Sequence, residues 1–278
     1  MRPGIFAKTF AARGAQATLD AVAAAGYETT QFNLACLGLP SMPDRIEPAA
    51  AAEIAQASRR SGVSIAAVSG TYNMIHPDPA VRTSGLARLE ALCGACPAMG
   101  TRLVTLCTGT RDPADQWRWH PANAGADAWR DLLAEMEKAV AIADRFDVEL
   151  GIEPELANVV SSAPAAARLF AEIASPRLRV VLDPANLFET ASAGERKRLV
   201  EEAVDLLGPH IAMAHAKDRD AAGGFAVAGR GVIDFAHFVG CLKGSGFDGP
   251  LVTHGLAEAD AAAVAGFLKG LLEKGDGR

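Results

Sequence analysis

Four short apolar stretches in the second half of this 278-residue chain each end on a residue type that binds metal ions. Residues 148–153 end on Glu153 before Pro154, and residues 180–183 end on Asp183 before Pro184. Residues 211–215 end on His215, with Lys217 and Asp218 just beyond, and residues 250–254 end on His254 before Gly255. Two carboxylates and two imidazoles suit Mn²⁺, Co²⁺, Zn²⁺ or Fe²⁺ better than Mg²⁺ or Ca²⁺, which prefer oxygen throughout. A single histidine at a strand end is ordinarily a hydrogen-bonded structural group. Four ligand types at four successive strand ends point instead to one divalent ion, because clustered unpaired acids are costly to bury.

Strand geometry explains how the chain presents them. Alternation along 148–153 sends Leu150 and Ile152 to one side and Gly151 and Glu153 to the other. Proline cannot continue a central strand, so this one ends at Glu153. The four residues stand 30, 32 and 39 positions apart (153 to 183, 183 to 215, 215 to 254). Each interval is one strand–helix unit long, so the ligands would sit side by side along a parallel sheet.

The whole chain repeats that unit. Strands are expected at 4–9, 29–34, 63–69, 103–107, 148–153, 178–182, 211–215 and 250–254. Helices are expected at 16–25, 48–61, 79–99, 126–146, 163–174, 193–207, 234–245 and 258–272. Glycines at 26, 62 and 100 close three of the helices. Repeated βα units imply a parallel sheet, and eight of them fit a closed (β/α)₈ TIM barrel, a single α/β domain over residues 1–278. A doubly wound open sheet ranks behind it, since no G-x-G-x-x-G follows the first strand. In such a barrel the active site lies at the carboxyl ends of the strands.

Composition excludes several classes. Half of the residues are hydrophobic, yet no apolar run approaches the roughly 20 residues of a membrane span. No long apolar stretch suited to a signal peptide stands at the start, so a cytoplasmic location is expected. The net charge of −6 and the absence of a basic run argue against a nucleic-acid partner. Five cysteines without a secretion signal read as reduced thiols. Cys93-Gly-Ala-Cys96 lies in an apolar helical run and reads as packing rather than redox or zinc chemistry.

Further polar residues fall near the strand ends. His76, after the third strand, is a candidate to bond a substrate hydroxyl, with a loop cap as the rival role. Lys217 is a candidate to polarise a carbonyl or hold a carboxylate, with a salt bridge as the rival. Glu155 stands two residues beyond Glu153. Arg230 lies between glycines that free the loop to reach inward. Arg111, with Trp117 and His120 in the long loop 108–123, is expected to form a lid, or else a plain interface loop.

The motifs Ile-Glu-Pro (152–154), Leu-Asp-Pro-Ala-Asn (182–186), His-Ala-Lys-Asp (215–218), Gly-Arg-Gly-Val-Ile-Asp (229–234) and Gly-Pro-Leu-Val (249–252) carry a resemblance. In this order, over nearly the whole chain, they resemble the xylose-isomerase-like barrel superfamily, and within it the sugar (phosphate) isomerase/epimerase branch. The resemblance implies one divalent metal held by Glu153, Asp183, His215 and the strand-eight residue, with Glu153 also moving a proton. Where the branch carries glutamate on strand eight, this chain has His254, which can ligate and transfer a proton but removes one negative charge. Asn186 stands where several members place a substrate-binding histidine. The zinc apurinic-site endonucleases of the superfamily need histidines that this chain lacks.

The expected function is therefore a metal-dependent isomerase or epimerase acting on a small polyol or sugar through an enediolate. Glu153, His254 and Lys217 are its catalytic candidates. His76, Asn186, Arg111, Arg230 and Glu155 are its substrate-binding candidates, and Mn²⁺, Co²⁺ or Zn²⁺ is preferred to Mg²⁺. A homodimer is compatible with the sequence. An inosose-type dehydratase and a non-catalytic sugar-binding barrel are the alternatives.

Overall fold

A computed structural model describes residues 1–11 and 13–274. The strands β1 (Arg2–Phe6), β2 (Thr29–Phe32), β3 (Ser64–Ser69), β4 (Leu103–Leu106), β5 (Glu149–Ile152), β6 (Leu178–Leu182) and β7 (Ile211–Ala216) are followed by a small hairpin, β8 (Asp218–Arg219) and β9 (Phe225–Ala226), and then by β10 (Pro250–Thr253). The helices are α1 (Ala15–Ala24), α2 (Pro48–Ser61), α3 (Pro79–Ala95), α4 (Ala126–Phe146), α5 (Ala163–Ile173), α6 (Ala193–Leu207), α7 (Phe235–Gly244) and α8 (Ala261–Lys274). Eight strands close a parallel barrel in the order β1-β10-β7-β6-β5-β4-β3-β2. The expected (β/α)₈ architecture is present as one barrel.

Alternation organises the packing. Leu150 and Ile152 are fully buried against the helices. Gly151 faces the barrel interior, where an added Cβ would lie 2.9 Å from Val181 Cγ2 and 3.2 Å from Leu103 Cδ1. That absent side chain leaves room for an interior plug of Ala67, Leu103, Val181, Met213 and Val252. Above the plug the inward residues turn polar, with Gln31, Ser69 and Thr105 all buried. The apolar layer therefore seals the barrel and sets the floor on which the strand-end residues stand.

Several boundaries differ from expectation. Helix α3 stops at Ala95 and the chain tightens into a 3₁₀ turn at Cys96–Met99, because Pro97 has no N–H to continue the α pattern. A 3₁₀ turn at Glu258–Asp260 likewise precedes α8. Cys93 and Cys96 are fully buried. Burial pushes the Cys93 thiol up to about 12, consistent with packing. Among the described residues no helix is long and apolar enough to cross a membrane.

Candidate metal centre

Each ligand-type residue stands at the carboxyl end of a strand: Glu153, Asp183 and His254 come directly after β5, β6 and β10, and His215 is the penultimate residue of β7. Asp183 follows β6 and spends one carboxylate oxygen on local structure, as Oδ1 accepts from the Ala185 N–H at 2.9 Å and caps the 3₁₀ turn Pro184–Asn186. Its other oxygen, Oδ2, lies 3.1 Å from His254 Nε2, 3.8 Å from Lys217 Nζ and 4.0 Å from His215 Nδ1. Glu153 follows β5, and its Oε1 accepts from Asn186 Nδ2 at 2.9 Å and lies 3.2 Å from His215 Nδ1. The two imidazoles stack with centroids 4.5 Å apart. One ligand atom from each of Glu153, Asp183, His215 and His254 lies within 4.8 Å of the others.

The cluster holds its charges tightly. Burial alone would push Glu153 and Asp183 up, but the opposing charges win. The His215 imidazole holds Glu153 below the usual carboxylate range, and Lys217 with His254 holds Asp183 well below it. Burial opposes protonation of His215, yet Glu153 and Asp183 outweigh it and raise the imidazole. Burial and the neighbouring His215 lower His254. Burial and the charge of Glu153 push Glu155 up.

The donor set fits a cation. Gln31, buried in β2, turns its NH₂ group toward Ser69 Oγ and Thr105 Oγ1, both at 3.1 Å. Its Oε1 then accepts from the His215 Nε2–H at 2.8 Å. With the proton on Nε2, the lone pair of Nδ1 faces the oxygens of Glu153 and Asp183. Nδ1 thus faces two carboxylate oxygens, an arrangement satisfied by a proton or a metal ion. Gln31 was not among the residues expected from sequence. Its only signal there is a single amide in an otherwise Thr- and Phe-containing strand.

Gln31, Glu153, His215 and His254 line a cavity of about 480 Å³, within the usual size range of small-molecule sites. Lys217, Glu155 and Asn186 also line it. Asn186 Oδ1 is buried and has no hydrogen-bond partner, so the cavity wall offers one unfilled acceptor. Phe225 of the small hairpin and Trp117 of the loop after β4 are exposed and reach the same cavity. The Lys217 ammonium lies 3.6 Å from the centre of the Phe225 ring.

Three expected substrate-binding residues are engaged elsewhere and do not line this cavity. Arg111 donates to Asp131 Oδ2 at 2.6 Å and to the Ile75 carbonyl at 3.0 Å, pinning its loop to α4. Arg230 pairs with Asp260 at 2.8 Å, drawn outward by the acid ahead of α8. His76 Nδ1 accepts from the Asp78 N–H at 3.0 Å and Nε2 lies 3.1 Å from the Pro113 carbonyl, the loop-cap role. His120 caps the short turn Pro121–Ala124 through the Ala122 N–H. Of the expected lid, only Trp117 reaches the cavity, beside Gln116.

A closed parallel barrel with a ligand cluster at the carboxyl ends of β5, β6, β7 and β10 is a (β/α)₈ barrel with a candidate metal centre. The chain matches the xylose isomerase-like TIM barrel family over residues 19–271 and belongs to it. No curated protein matches it. Among solved structures, a D-tagatose 3-epimerase-like protein superposes with a TM-score of 0.79 at 16% identity, covering 99% of this chain and 98% of that one. The IolI protein with a bound zinc atom superposes at 0.75 and 14% identity, covering 99% of each chain. A xylose isomerase-like TIM barrel/4-hydroxyphenylpyruvate dioxygenase fusion protein superposes at 0.75 and 19% identity. This chain is covered to 99% but spans only 43% of that fusion. At these identities the likeness is one of fold.

Proposed function

We propose that the protein is a divalent-metal-dependent isomerase or epimerase of a small polyhydroxylated carbonyl compound. The observation that carries this reading is the convergence of Glu153, Asp183, His215 and His254, with ligand atoms within 4.8 Å, beside a cavity of about 480 Å³. An ion held by these four residues would supply Lewis-acid polarisation of the substrate carbonyl, which makes the adjacent C–H acidic. The names of the epimerase structures that share the fold support a sugar as substrate.

The chain's own residues do the remaining work. Glu153 takes the proton from the carbon next to the carbonyl. Its Oε1 is fixed by Asn186 and His215, while Oε2 has no hydrogen bond among the described residues. The ionised form of Glu153 is the favoured one, so it enters the reaction as a base. Lys217 donates to the oxygen that gains charge as the enediolate forms. Asn186 accepts from a substrate hydroxyl through the unfilled Oδ1. Return of the proton to the neighbouring carbon, with the hydroxyl proton of the carbon that becomes the carbonyl passing back to Lys217, isomerises the substrate. Delivery of a proton to the opposite face of the same carbon, for which His254 on the cavity wall is the candidate donor, epimerises it, and loss of a β-hydroxyl as hydroxide dehydrates it.

The test is elemental analysis of the purified protein, then NMR detection of solvent deuterium entering carbon positions across ketoses, inososes and hydroxypyruvate. One ion per chain and metal-dependent exchange on at least one compound are expected. An ion without exchange on any compound would turn the reading to a sugar-binding barrel, and absence of any ion would remove the metal.

A further inference from the structure

Lys8, His254 and Lys217 follow β1, β10 and β7, which are consecutive around the barrel. Two lysines therefore follow the strands on either side of the one that leads into His254. Lys217 is already committed. Its stem passes over Gly255, where an added Cβ would lie 3.4 Å from Lys217 Cδ, and its ammonium rests between Asp183 Oδ2 and the Phe225 ring. Lys8 differs. It sits in the turn Ala7–Thr9, is exposed, lines the same cavity, and among the described residues has no ion-pair or hydrogen-bond partner.

Charge balance gives that lysine a purpose. Apart from the Cys107 thiol, which burial keeps neutral, the ionisable groups of the cavity and the cluster are the carboxylates Glu153, Glu155 and Asp183, the lysines Lys8 and Lys217, and two histidines that must be neutral to bind a metal. Three negative charges stand against two ammonium groups and a divalent ion. With the ion bound, the cavity carries one surplus positive charge, and Lys8 is its one lysine without a partner among the described residues. A half-enclosed site with one unpaired charge favours a ligand carrying the opposite one.

Resting on the metal-dependent reading above, we infer that the substrate is a polyhydroxylated keto or aldo acid whose single carboxylate is held by Lys8 at the rim of the cavity. Lys8 is then the residue that separates acids from neutral sugars, and the imidazole of His254 contributes by leaving that lysine unneutralised. A carboxylate at position 254, in the same cavity, would cancel the surplus.

Calorimetric titration of the metal-loaded protein with matched pairs tests this: dihydroxyacetone against hydroxypyruvate, D-fructose against D-fructuronate, and D-tagatose against D-tagaturonate. D-fructose 6-phosphate separates carboxylate from phosphate. The acid member of at least one pair should bind about tenfold or more tighter, as one charge-assisted contact implies. Lys8→Gln should remove most of that advantage and Lys8→Arg should keep it, both with unchanged metal affinity. Equal affinity within every pair, no binding of any acid, tighter binding of the phosphate, or an advantage intact in Lys8→Gln overturns the inference. A protein that prefers acids through Lys8 but exchanges no carbon-bound deuterium keeps this inference and loses the isomerase reading. One that exchanges deuterium on neutral sugars, indifferent to Lys8, does the reverse.

Discussion

Gln31 Oε1 lies 2.8 Å from His215 Nε2, across a separation of 184 residues. Because the Gln31 NH₂ is directed at Ser69 and Thr105, this contact favours a proton on Nε2. The other nitrogen is left facing Glu153 and Asp183. β2 therefore orients an imidazole that belongs to β7. An outer partner of this kind orients the ring and strengthens it as a donor.

Replacing Gln31 with leucine keeps its bulk but removes that acceptor. Metal affinity should fall by about 10- to 100-fold, the usual effect of losing an outer partner. Competition with a chelator of known affinity measures it. Undiminished affinity would mean that the ring is held by its packing alone.

Glu153→Gln should separate binding from chemistry. The amide keeps one oxygen for a metal but cannot accept the carbon-bound proton. Deuterium exchange should drop by about 10²-fold or more at saturating metal, given what a positioned base contributes. Exchange at the wild-type rate would transfer the role to another group, with Glu155 the nearest carboxylate along the chain.

Much of this architecture was legible in the residues. Helices α2, α4 and α6 begin and end where expected, since Pro48 and Gly62 frame the first and the Ser192–Glu195 capping box opens the third. The convergence of Glu153, Asp183, His215 and His254 was legible because strand alternation and the βα repeat fix both their facing and their spacing. The hairpin of β8 and β9 was not, as two-residue strands have no periodicity to read. Nor were the fates of Arg111 and Arg230. A loop position says only that an arginine is near the rim, whereas its partner, Asp131 or Asp260, is chosen by the packing of a helix elsewhere in the chain.

Ala174 closes α5 in the left-handed region at φ 48°, a position where glycine carries no Cβ penalty. Ala174→Gly should stabilise the protein by about 0.5–1 kcal/mol, the left-handed cost less the added freedom of the unfolded chain. A urea midpoint that moves up at constant slope shows it. An unchanged midpoint would mean that the two effects cancel.

Asp218 is fully buried at the start of the hairpin. Its two oxygens accept from the backbone N–H groups of Arg219, Gly229, Gly231 and Ile233 at 2.8–3.1 Å. They tie the 229–233 loop down beside Lys217. Asp218→Ala would strand these donors, at a cost of about 2–4 kcal/mol. Hydrogen exchange of the four amides should speed up even where the barrel stays folded. Protection equal to wild type would show that the loop is held by other contacts.

The last prediction concerns acid. Burial works against a proton on His215, but Glu153 and Asp183 win, so this imidazole stays protonated to a higher pH than an ordinary histidine. His254 is shifted the other way by burial and by the charge of His215, so it takes a proton only at lower pH. A metal must displace both protons. Affinity should thus begin to fall as the pH drops through the raised His215 value, above the ordinary 6.5 or so, and should steepen once His254 also titrates. In the steep region log K should change by up to two units per pH unit. His254→Glu leaves one histidine, so the limiting slope should drop toward one, and the added carboxylate should move selectivity from Zn²⁺ and Co²⁺ toward Mn²⁺ and Mg²⁺. The same carboxylate adds negative charge beside His215, which should carry the onset of the fall to a still higher pH. Metal titrations of both proteins between about pH 5 and 8 read slope, onset and selectivity together. If slope and selectivity are the same in the two proteins, His254 is no ligand, and the cation would be held by Glu153, Asp183 and His215 alone.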